Sequence, residues 1–147
     1  MTVQLHVAYS SVFSGAGVVA GGPYYCAQGS MMNSLYRCMC HLLSVNVGTL
    51  ADITRQWSRD GLIDSVDNLR SSKVYIFSGK EDTTVVPSIG FDLRDYYANF
   101  GTSTLYQNTL LAVRSMFLVN LLKAQGQCLL PVKGFLILDL LSEYRAI

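Results

Sequence analysis

The 147-residue sequence predicts an α/β layer fold: a mostly parallel sheet with flanking helices around an incomplete core. Three observations carry this expectation. Segments with strand character alternate with segments of helical periodicity, the order that builds parallel sheets. Residues 73–78 (KVYIFS) are β-formers with apolar side chains on both faces, as in a central strand covered on both sides. And Met1 to Tyr36 contain no Asp, Glu, Lys or Arg, so the start of the chain lacks a solvated face and reads as interior, as if it began partway through a core.

Taken in order, residues 2–10 (TVQLHVAYS) place Val3, Val7 and Tyr9 with Leu5 and Ala8 in a buried helix. Residues 15–22 (GAGVVAGG) form a short apolar run bracketed by glycine, a buried strand ending in a tight turn. Residues 48–59 follow a helix pattern, with Thr49 as cap, Asp52 in the first turn, and Leu50, Ile53 and Trp57 on one face; Gly61 ends it. The strand at 73–78 is closed by Gly79. Pro87 and Ser88 then open a helix through Asn99, with Ile89, Leu93, Tyr96 and Tyr97 inward and Gly101 as C-cap. A short strand at 103–108 follows. Residues 109–147 read as helix, loop and an apolar strand or helix.

Only 14% of residues are charged, against about 25% in globular chains. The net charge of +1 excludes a basic nucleic-acid footprint and an acidic disordered tail. The glycines, Pro23 and several Ser and Gln break the apolar start, so it is neither a membrane span nor a signal peptide, which would also need a basic leader. Leucine is unevenly spread: 11 fall in residues 110–147 and 9 in residues 1–109. That shift marks 1–108 as one unit and 109–147 as a divergent Leu-rich tail. Arg114, Ser115 and Asn120 inside the Leu110–Leu122 run argue against a membrane helix there.

The candidate site is Ser78-Gly79-Lys80-Glu81-Asp82, just past the C-terminal end of the central strand, where α/β folds build sites. A carboxylate there can orient a histidine. The plainer reading is that Asp82 bonds its own backbone in a Gly-containing turn. A triad also needs a nucleophile and a base. No G-x-S-x-G elbow occurs, and His6 and His41 are the only histidines. His6, in the apolar helix, reads as a hydrogen-bonded core residue. His41 follows Cys38 and Cys40 in C-M-C-H, which with Cys26 offers three thiolates and an imidazole to zinc; the spacing fits no standard zinc framework, and disulfides or free thiols are the plainer alternatives. Four cysteines (Cys26, Cys38, Cys40, Cys128) allow three full pairings. Gly15 to Gly21 misses the dinucleotide fingerprint by one residue, and Gly79-Lys80-Glu81 is no P-loop. Neither a cofactor nor a metal is expected.

Two blocks carry a family resemblance. Residues 1–30 hold V-A-Y-S-x-x-F-S-G-A-G-V-V-A-G-G-P-Y-Y-C-A, and residues 74–87 read VYIFSGKEDTTVVP. In content, order and separation they resemble polyhydroxybutyrate (PHB) depolymerase-like esterases, over about residues 1–108. The resemblance implies a partial α/β-hydrolase-like fold and a Ser-His-Asp triad acting on polyester or short-chain hydroxyalkanoate esters, in proteins that are typically secreted. It makes Asp82 the triad acid and matches Cys26 and Cys38 to family cysteines, favouring a disulfide in an exported protein. The family's serine elbow lies a few residues before the position matched by Met1. Where the family carries its histidine, this sequence reads Leu111-Ala112-Val113-Arg114-Ser115-Met116. The expectation is therefore a chain truncated at the start and divergent at the end, from a start taken at an internal Met and an altered frame or intron, that lacks the nucleophile and the base and is inactive alone. The alternative is a non-catalytic binding or decoy module derived from the esterase, with Tyr24-Tyr25 as its contact loop.

Overall fold

A computed structural model describes residues 1–109; the Leu-rich tail beyond them, with Cys128, lies outside the described residues. Four α-helices, one 3-10 helix and three strands follow one another in those residues. The strands β1 (Gly15–Val19), β2 (Lys73–Gly79) and β3 (Ser103–Thr109) are parallel and lie in the order β1-β2-β3. The expected parallel sheet with β2 at its centre is thus present.

The helices follow from local sequence. Helix α1 (Thr2–Ala8) buries Val3, His6, Val7 and Ala8 but leaves Leu5 and Tyr9 exposed, so it is half-buried rather than buried. Helix α2 (Met31–Tyr36), which the apolar periodicity does not reveal, is capped by Ser30 Oγ accepting from Asn33 N. Helix α3 (Val47–Arg59) is capped by Asn46, not Thr49: the Asn46 side chain accepts from the Thr49 amide at 3.0 Å. A cap residue sits outside the helix, and Asn46 is the polar side chain placed to do so. Gly61 takes φ +72 just beyond the helix, the left-handed turn its lack of a side chain permits. A 3-10 helix (Val66–Ser71), also unforeseen, leads into β2. Helix α4 (Pro87–Ala98) starts with proline at its first turn and buries Ile89, Leu93, Tyr96 and Tyr97 completely, as its spacing predicts.

The three longer structural helices are tied to one another through polar bonds in the core. His6 Nδ1 of α1 and Tyr97 Oη of α4 are 2.8 Å apart. Thr54 Oγ1 of α3 bonds both Leu50 O and Tyr96 Oη, each at 2.8 Å. These pairings satisfy hydroxyls that burial would otherwise leave costly. Helix α4 packs on the sheet at Gly90, where a Cβ would stand 2.8 Å from the Tyr106 ring and 3.4 Å from Ser78 Cβ.

The sheet is not covered on both sides among the described residues. Val18, Val74 and Ile76 are buried on the helix side, whereas Val19 (59%), Tyr75 (38%) and Leu105 (65%) stand exposed. The register places Gly17, Tyr75 and Leu105 in one row of this open face. Apolar side chains on both sides of a strand record what each face tolerates, not what covers it. Strand β1 likewise departs from expectation: it is an edge strand in the described sheet, ends at Val19, and buries only Val18. Its Gly15 marks a close approach, because a Cβ there would meet Lys73 O at 2.7 Å.

Candidate active site at the Asp82 turn

Strand β2 ends at Gly79, and its carbonyl accepts from the Asp82 amide at 3.1 Å, turning the chain at the carboxyl edge of the sheet. Asp82 is 3% exposed. Its Oδ1 accepts from the Thr84 and Val85 amides at 2.9 and 3.1 Å. The expected self-bonding aspartate turn is therefore present, and it fixes the carboxylate where a parallel sheet presents its functional edge. The next amide, Val86 N, donates to Met39 O at 3.0 Å, and α4 begins at Pro87.

Met39 belongs to the C-M-C-H cluster, whose chemistry the structure resolves. Cys26 and Cys38 form a disulfide, and Cys40 is disulfide-bonded as well, so no free thiol remains among the described cysteines. The zinc alternative loses its ligands, because an oxidised sulfur offers no thiolate. No group of three His, Cys, Asp or Glu among the described residues is arranged to hold a metal.

His41 Nδ1 is 2.7 Å from Ser88 Oγ, and its Nε2 lies 3.2 Å from Asp92 Oδ2. The second contact is an ion-pair distance rather than an aligned hydrogen bond. Burial pushes the Asp92 carboxyl above its ordinary range, and the adjacent His41 opposes that shift. The Ser88 and Asp92 positions, four apart on α4, share a face; that spacing was the available sequence clue, and only the fold brings His41 across from residue 41. His6, as expected, is a core residue: it is 2% exposed, bonded to Tyr97, and burial holds its pKa below the ordinary value. Both histidines are thus engaged elsewhere than at Asp82. Tyr24 is buried, and Tyr25, half-buried, packs edge-on against Trp57 at 4.5 Å.

No protein-family model matches the chain. It is 46% identical over 119 residues to a poly(3-hydroxybutyrate) depolymerase of Delftia acidovorans, covering 79% of this chain and 24% of that protein. A polyhydroxybutyrate depolymerase of Talaromyces funiculosus is 39% identical over 104 residues, with 70% and 29% covered. Two solved structures superpose with a TM-score of 0.59 at 38% identity, covering 71% of this chain and 33% of theirs: a PHB depolymerase from Penicillium funiculosum, and a PHB depolymerase complexed with an R3HB trimer. The chain thus spans a quarter to a third of the length of the relatives it matches. In sequence and in fold, it belongs to the PHB depolymerase-like family.

Proposed function

We propose that this chain is the acid-bearing part of a serine esterase that hydrolyses poly(3-hydroxybutyrate) or short-chain hydroxyalkanoate esters. The observation that carries the reading is Asp82: a buried carboxylate, fixed by two backbone amides, at the end of the central parallel strand of a chain in this family. In the complete enzyme a serine attacks the ester carbonyl and passes its proton to a histidine. Asp82 orients that histidine and stabilises its charged form, backbone amides hold the oxyanion, and the histidine returns the proton to the leaving alkoxide. Water then releases the acyl group by the same steps in reverse.

The 147 residues contain no G-x-S-x-G elbow and no histidine after His41, so this chain alone is inactive in our reading. The oxidised cysteines support an exported parent protein. The test is hydrolysis of 3-hydroxybutyrate oligomers by the complete enzyme and by the 147-residue chain. Asp82→Asn in the complete enzyme should lower kcat by about 10⁴-fold, and the short chain should show no turnover. An Asp82→Asn enzyme within tenfold of the parent would remove Asp82 from the triad.

A further inference from the structure

We infer that His41 is a positioning residue for the Asp82 turn, acting through a strap formed by residues 38–41. Its catalytic meaning rests on the reading of Asp82 as the triad acid; its geometry does not. The C-M-C-H cluster is pinned to the fold at Cys38, Met39 and His41, and Cys40 between them is disulfide-bonded and donates its amide to Leu35 O at 3.0 Å. Cys38 is bonded to buried Cys26 and passes its carbonyl over Gly22, where a Cβ would stand 3.7 Å from Cys38 O and 3.0 Å from Ile89 of α4. Met39 O then accepts the Val86 amide at 3.0 Å, the residue directly after the two whose amides hold Asp82. His41 closes the strap on Ser88 at 2.7 Å and on Asp92 at 3.2 Å.

The Asp82 turn is therefore held at both ends. Its start hangs from β2 through the Gly79 carbonyl. Its end lies between the Met39 carbonyl and the first turn of α4, whose Ser88 is fastened to His41. His41 itself adopts φ +50, a left-handed backbone that is unfavourable for a residue with a side chain. Such a conformation persists where surrounding contacts over-determine it, and here both ring nitrogens face a partner on α4. The motif that reads as metal-binding in sequence thus works as a brace on the neighbouring loop.

Backbone amide exchange in the 147-residue chain tests this. His41→Ala removes both ring contacts; Ser88→Ala removes one and leaves the α4 core intact; His41→Asn keeps a polar atom near the Nδ1 position. We expect exchange at Thr84, Val85 and Val86 to accelerate about tenfold or more in His41→Ala and less in Ser88→Ala, with Ile76 in β2 unchanged, and His41→Asn to restore most of the protection. If His41→Ala does not fold, Ser88→Ala alone decides by the same residues. Unchanged exchange at 84–86, an equal rise at Ile76, or no rescue by asparagine would overturn the inference. In the complete enzyme, His41→Ala should lower kcat with KM nearly constant. Loss of protection at 84–86 together with an active Asp82→Asn enzyme would leave the brace standing and sink the acid role instead.

Discussion

Removing the Cys26–Cys38 bridge, by Cys26→Ala with Cys38→Ala, should cost about 3 kcal/mol of stability. The two residues are 12 apart in sequence. Closing a loop of that size in the unfolded chain removes enough entropy to account for about 3 kcal/mol at 25 °C. The pair substitution, rather than reduction, isolates this bond because Cys40 is also disulfide-bonded. For a domain whose whole stability is of order 5–15 kcal/mol, that is a large share. The assay is urea unfolding followed by tryptophan fluorescence, since Trp57 is packed against Tyr24 and Tyr25 close to Cys26. With a denaturant slope of about 1.5 kcal/mol/M, the midpoint should fall by about 2 M. A shift below about 0.5 M at unchanged slope would refute the loop-closure reasoning. It would mean that the unfolded chain already keeps these residues together, or that the bridge is offset by strain in the fold.

Leu93→Ala should cost about 2–5 kcal/mol, because Leu93 is fully buried in α4 and the cavity cannot refill from rigid neighbours; thermal unfolding measures it. Gly15→Ala should destabilise by about 1–3 kcal/mol, since the new methyl meets the Lys73 carbonyl, a backbone atom that cannot swing away; alanine without effect would place the strands farther apart. His6 gives a pH signature. Its pKa is depressed by burial, so below the ordinary value of about 6.5 the unfolded chain binds a proton that the folded chain refuses. Stability from a neutral His6 is therefore full above that pH and is lost as pH falls, and the stability gap between the chain and His6→Gln should shrink from pH 7.5 to pH 5. A constant gap would show that His6 does not titrate on unfolding.

The sequence makes legible the elements whose burial pattern is local. Ile89, Leu93, Tyr96 and Tyr97 recur at helical spacing, and all four are fully buried in α4. Strand β2 announces itself through its run of β-formers, and the alternating order of elements foretells its parallel pairing with β1 and β3. What the sequence hides depends on partners distant along the chain. Tyr75 and Leu105 carry no mark of their exposure, because only the position of the helices decides which face is open. Helix α2 buries no residue fully, so it leaves no apolar stripe to read. At the candidate site, Asp82 could be singled out from its glycine turn, with the family resemblance naming its role. The brace could not, since His41 meets Ser88 across 47 positions.

The open face of the sheet has a calorimetric consequence. Among the described residues, Val19, Tyr75 and Leu105 are exposed in the fold. Unfolding residues 1–109 therefore hydrates less new apolar surface than their number suggests, and the heat-capacity change should fall below the usual value of about 12–15 cal/mol/K per residue. A smaller heat-capacity change flattens the dependence of stability on temperature. The stability of the described residues should thus vary less with temperature, and any segment that comes to rest on that face would steepen the curve.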